Sequence, residues 1–370
     1  MANLSAVPVT FAGLLKVAVD GDVIALAGGD YGPLAIARRT YDPPLTIRSA
    51  DPSRPAKFTR VTVNGGGGVD LKDLVFAFEP DEATVASTSV VQLNGTTRIN
   101  IKGGEIYSGP AVNGVPELAE SGDKTGNVLG WPTCRGAWIS NSSDITIESV
   151  DLHHLHRGMV LGSSQRISII DCDFHHIRKT GILGGADELL IARNHLHSFR
   201  PWRYGETKKN GDHGDWFALW TDAKGFTRLV IEDNFMETGD GARMIGGWIA
   251  GKSGLIDTWR LSNNLLIGGV VQGFMAGGPG AGVRYGRITD NVFLQDDPTG
   301  KPLGVILQKS AMDTIVENNF IGSISDKSQT GANTISTKVD LAKVAALRAA
   351  WHWQRRGGPP TPHAVVPVTA

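Results

Sequence analysis

The chain has little charge and almost no cysteine. Asp, Glu, Lys and Arg make up 20% of its 370 residues, and 36 basic against 37 acidic side chains leave a net charge of −1. No surplus of positive charge marks it for nucleic acid. Two cysteines, Cys134 and Cys172, cannot build a disulfide framework and read as buried free thiols. No uninterrupted apolar run approaches the ~18 residues of a membrane span, so membrane insertion is not expected. The opening MANLSAVPVTF lacks a basic stretch followed by an apolar one, so no signal peptide is read and synthesis in the cytosol is expected. What the chain does have is glycine, 47 residues of it, beside 41% hydrophobic residues. Many glycines with few charges suit short strands and tight turns better than long surface helices.

A phrase repeats along the chain: ITIESVDL from Ile145, ISIIDCDF from Ile167, LLIARNHL from Leu189, LVIEDNFM from Leu229, WRLSNNLL from Trp259, GRITDNVF from Gly286 and TIVENNFI from Thr314. Apolar residues alternate as in a strand, then a polar residue precedes a return to apolar ones. The junctions fall at Val150, Cys172, Asn194, Asn234, Asn264, Asn291 and Asn319, spaced 22, 22, 40, 30, 27 and 28 apart. One cluster of short strands per repeat and no helix between them predict an all-β solenoid, a single-stranded parallel β-helix. The five junction asparagines predict a ladder that satisfies turn backbone and does no chemistry.

Residues 10–50 carry a second signal. TFAGLLKVAVDGDVIALAGGDYGPLAI followed by PPLTIRSAD resembles the opening of the pectate-lyase-like superfamily of right-handed β-helix proteins, above all its chondroitinase and alginate lyase branch. The resemblance implies a short helix (Phe11 to Val19) over the open end, the turn Asp20-Gly21-Asp22, and a first rung closed at Tyr31-Gly32. The branch's catalytic Lys and Arg signatures find no match here. The expected division is a β-helix over 1–338, cap at about 10–50 included, and a helix with an extended tail over 339–370. That helix, read from Val339 to Arg355, caps the last rung or serves assembly. Phage tailspikes on this fold end in such segments, which brings in a homotrimer on a virion as an expectation. A chain without a signal peptide suits a virion protein freed by lysis.

Two insertions stand out, Ser108 to Trp138 and Ser198 to Gly214. The second, SFRPWRYGETKKNGDHG, mixes Arg200, Trp202, Arg203 and Tyr204, and aromatics beside cations suit sugar rings and their carboxylates. Eight of ten histidines lie between His153 and His213. Stacking the rungs puts His153, His175 and His197 in one column, His154, His176 and Ser198 in the next, and His156, Arg178 and Arg200 in a third. Leu155, Ile177 and Phe199 then point inward. At the entrance of the following strand the expected columns are His156/Arg178/His213, Arg157/Lys179/Gly214 and Gly158/Thr180/Asp215.

This patch suits a lyase acting on a uronate-containing bacterial polysaccharide. Arg178, Arg200 or Lys179 neutralises the carboxylate, and His213, oriented by Asp212 or Asp215, takes the C5 proton. Tyr204, Arg203 or Lys179 protonates the leaving oxygen. His156, Trp202, Trp216, Arg243 and Gln272 complete the expected binding surface. The rival is a glycoside hydrolase with paired carboxylates drawn from Asp212, Asp215, Glu237 and Asp240. A third reading is a β-helix that binds glycan without cutting it. No metal site is expected, because a histidine ladder at sheet spacing diverges. Calcium is the one cofactor left open. The Asp-Pro-His-Glu phrase associated with alginate epimerases is absent.

Overall fold

A computed structural model describes residues 2–81, 84–85, 87–109, 134–201, 203–204, 210–211, 214–221, 224–239, 246–268, 273–278, 280–298, 300–325, 331–336 and 338–351. The strands join one continuous parallel sheet, apart from a two-stranded hairpin formed by Arg203–Tyr204 and Asn210–Gly211. The chain is a right-handed parallel β-helix.

Each rung crosses three faces. The first runs from Val23–Leu26 through Ser143–Glu148 and Phe226–Glu232 to Ile315–Glu317. The second includes Ala56–Phe58, His195–His197 and Phe235–Glu237. The third includes Arg60–Asn64, Arg135–Ser140 and Asp215–Trp220. Two 20-residue strands, Asp151–Ile170 and Asp173–Ala192, pass over all three faces.

The strand alternation read from the sequence sets the core. On the first face one inward column runs Ile24, Ile47, Leu71, Ile101, Ile147, Ile169, Ile191, Ile231, Leu261, Ile288 and Val316, each at most 1% exposed. Between the first and second faces the chain turns in two residues. The first takes positive φ, as at Asp171, Arg193, Asp233, Asn263, Asp290 and Asn318, a conformation Asp and Asn tolerate well. The second is the junction asparagine. Each Oδ1 accepts from the backbone N–H of the junction one rung earlier, at 2.9–3.0 Å from Asn194 to Asn319. The ladder gains a sixth member, Asn333, which the repeat phrase had not reached.

The cap sits where the resemblance implied, with helix Pro8–Val17 beginning earlier than expected. Phe11 packs edge-on to Tyr31 and Phe58, closing the open rung. Asp22 accepts hydrogen bonds from the N–H groups of Ala2 and Val19, and the Tyr31 hydroxyl donates to Ala6 and Ala27 carbonyls. The C-terminal helix, Leu341–Ala350, is capped by Asp340 and lies along the second face rather than over the last rung. Val344 packs among Phe235, Leu265, Ile267 and Leu294, and Arg348 binds Glu237 and Asp296.

Candidate functional site

Both long insertions leave the coil at the corner between the second and third faces. The chain departs after Ser108 and resumes pairing at Arg135, and departs again after His197 and resumes at Asp215. Between them lie the two compact rungs of the long strands. At this corner His154 and His176 take positive φ, as Ser198 does one rung on. Gly136, Gly158 and Gly181 follow in register, each so close to the next rung's backbone that a Cβ would meet its carbonyl at 2.5 Å.

The two rungs differ by one residue. Leu155 pairs with Ile177, but Arg157 pairs with Thr180, so a bulge falls at Arg178 and Lys179. Beyond it the expected columns keep Thr180 opposite Asp215 but misplace the first of the three rungs by one position. Arg135, Arg157, Thr180 and Asp215 share a column, and Val160 faces Leu183 rather than Ile182. The bulge brings Arg178 and Lys179 together beside His156. His156 is 7% exposed and Arg178 2%. The His156 pKa is held well below the usual imidazole value, first by burial and then by Arg178, Arg157, Lys179 and Arg135. Burial also lowers the Arg135 guanidinium. Arg200 reaches His176 Nε2 at 3.3 Å. Four cations, Arg135, Arg157, Arg178 and Lys179, thus gather around one neutral imidazole, with Arg200 on the adjoining His176.

Asp215 sits at the edge of this group, 3% exposed. Burial pushes its carboxyl up to about 7, against the opposing effects of the Trp248 hydrogen bond and the Lys179 charge. A carboxyl that titrates near neutrality can give or take a proton at working pH. Trp216 is not a surface residue. It continues the inward column of Gly136, Gly158 and Gly181, and its ring is fully buried in the core. Trp202, Asp212, His213, Asp240, Arg243 and Gln272, and the side chains of Arg203 and Tyr204, lie outside the described residues.

The histidines form the stacks expected of them. Tyr107, His153, His175 and His197 stack with centroids 4.8, 5.0 and 5.4 Å apart, and His154 lies on His176 at 5.0 Å. Burial, then His153 and His175, push His154 down to about 4. Two acids that sequence reasoning passed over join them. Asp151 meets His175 Nε2 at 3.0 Å, and Asp173 meets His197 Nε2 at 3.0 Å. Burial opposes ionisation of Asp173, yet the His197 hydrogen bond and the neighbouring imidazoles keep its carboxyl below the usual range. The phrase DLHH at Asp151, DFHH at Asp173 and HLHS at His195 was the signal available for them. Glu237 is bound to His195 and Arg348 on the second face, so it does not form a carboxylate pair with Asp215 on the third. The ladder also converges more than expected: donor atoms of Asp173, His195 and His197, and of Asp151, Asp173 and His175, lie within 4.8 Å of one another. A broad recess of about 1010 Å³ lies elsewhere, at the corner of the third and first faces, beside Trp220 and Lys252.

Parallel β-helices that act on polysaccharides are among the solved structures similar to this chain. Among solved structures, an alginate lyase from a Paenibacillus species is 16% identical, with 91% of this chain and 99% of that one covered and a TM-score of 0.49. A mannuronic acid specific polysaccharide family 6 lyase from human gut microbiota is 13% identical, covers 95% and 97%, and scores 0.41. A family 28 exopolygalacturonase of Yersinia enterocolitica is 10% identical, covers 92% and 79%, and scores 0.43. Neither a protein-family model nor a curated protein sequence matches the chain.

Proposed function

We propose that the chain degrades an anionic, uronate-containing polysaccharide by β-elimination at the corner between its second and third faces. The carrying observation is the convergence of Arg135, Arg157, Arg178 and Lys179 on buried, neutral His156, next to a carboxyl that titrates near pH 7. Guanidinium groups match carboxylates in shape and charge. Neutralising the C6 carboxylate makes the C5 proton acidic, and fixed cations in a dry corner do so without reorganising. Asp215 takes the C5 proton, the C5–H electrons form the C4=C5 double bond, the C4–O4 bond breaks, and O4 receives a proton from Lys179. His213, from the adjoining insertion, is the second base in this proposal. A homotrimeric tailspike is its proposed setting.

One observation favours a hydrolase instead: Asp215 stays protonated up to about pH 7, as a general acid must. Against it, Asp151, Asp173 and Glu237 are engaged by His175, His197 and His195, whereas the cations a lyase needs are assembled. The test is a panel of acidic polysaccharides read by ultraviolet absorbance of the unsaturated product and by reducing ends. A lyase gives both signals, with a rate that rises through about pH 7. Reducing ends without absorbance and a rate that falls above pH 7 establish the hydrolase, and neither signal from any substrate refutes catalysis.

A further inference from the structure

We propose that Asp173, His195 and His197 form a binding site for a divalent transition-metal ion of the zinc class, held through a carboxylate oxygen, Nδ1 of His195 and Nε2 of His197. His195 and His197 are two residues apart on one strand and so share its outer side, and Asp173 pairs directly with His195 on the preceding rung. The two imidazoles stack with centroids 4.0 Å apart, and one donor atom from each and from Asp173 lies within 4.8 Å of the others. Asp173 Oδ1 is 3.8 Å from His195 Nδ1 and 3.0 Å from His197 Nε2. Donors bound to zinc at about 2.1 Å in a tetrahedron stand about 3.4 Å apart, so the two measured separations bracket the required one.

The outer contacts fit the same purpose independently. His195 Nε2 meets Glu237 Oε1 at 3.2 Å, and His197 Nδ1 meets the Ser198 hydroxyl at 2.9 Å. Each ring therefore has the nitrogen opposite its proposed donor atom fixed by an oxygen, as metal-binding imidazoles do. Glu237 is itself held by Arg348 at 2.6 Å. With Glu237 accepting the Nε2–H, His195 turns the Nδ1 lone pair toward a carboxylate oxygen.

Two nitrogens and one carboxylate suit zinc, cobalt or nickel, whereas calcium asks for six to eight oxygens. Three protein ligands leave a coordination position open to water or another oxygen ligand. The neighbouring group of Asp151, Asp173 and His175 shares Asp173 but supplies one nitrogen only, and ranks second. The site lies on the second face, before the corner that carries the basic cluster, and the proposal stands whether or not that cluster cuts glycan.

The experiment titrates the full chain, after dialysis against a chelator, with zinc, cobalt and calcium chlorides by calorimetry, and records the visible spectrum of the cobalt form. Expected are one saturable zinc equivalent, cobalt d–d bands of a nitrogen–oxygen site, and calcium binding at least tenfold weaker. His197→Ala abolishes both signals, and Glu237→Gln weakens zinc roughly 10- to 100-fold while leaving the ligands in place. His154→Ala, in the adjoining column, leaves both unchanged. Should His197→Ala fail to fold by circular dichroism, Glu237→Gln and the cobalt spectrum decide. Absence of saturable zinc binding, calcium binding tighter than zinc, an unaltered Glu237→Gln, or equal loss in His154→Ala would each overturn the site.

Discussion

At the scale of single residues, the role proposed for Asp215 is set against its effect on stability. Its pKa of about 7 lies above that of an exposed carboxyl, so the folded state holds a proton that the unfolded chain has already lost. The favourable contribution is complete below about pH 4 and is lost as pH rises through 7. By pH 8 the accumulated cost is on the order of 4 kcal/mol. Asp215→Asn is therefore expected to abolish polysaccharide cleavage while raising the melting temperature at pH 8, with a much smaller change at pH 4; thermal unfolding at both values checks it. His156 gives a second prediction. Removing two of its cationic neighbours by Arg157→Gln and Arg178→Met raises its pKa, measured by NMR titration, but only in part, since burial is the larger cause. The bulge that unites these residues could not be read from spacing. Both long strands keep the same 22-residue repeat, and the extra residue at Arg178 and Lys179 is given back between Leu161 and Ser164. Trp216 misled for a related reason: a tryptophan next to an insertion reads as exposed, yet its neighbours in register are inward glycines.

At the scale of elements, the asparagine ladder ties the turns together and was legible because its geometry demands one residue type at one register. Each inner member both accepts and donates. Asn234 donates to Asn264, Ile191 and Glu232 and accepts from Asn194. Asn234→Ala orphans several buried groups, each costing about 1–3 kcal/mol. It is expected to lower the urea midpoint far more than Asn333→Ala at the end of the ladder. The histidine columns were equally legible, since rungs of 22 residues stack without ambiguity. Asp151 and Asp173 were missed because an acid after a turn reads as a cap, and only coordinates show it turned to an imidazole on the next rung.

At the scale of the whole molecule, the C-terminal helix works as a strap. The repeat grammar announced a solenoid, but a ten-residue helix does not say which rungs it will cover. Here Val344 covers Phe235, Leu265, Ile267 and Leu294, and Arg348 locks to two acids. Truncation after residue 338 exposes that strip, so greater binding of an apolar dye and a lower melting temperature are expected, with the strand signal in circular dichroism retained.

The two departures of the chain at the corner between the second and third faces are three rungs apart, with the two compact turns of the coil between them. At ~4.8 Å per turn their separation is ~14 Å, fixed by backbone hydrogen bonds rather than by the projections themselves. A molecule built this way carries a ruler: excising one 22-residue turn would narrow the gap by a known step, and on the proposed function the length of glycan accepted would shorten with it.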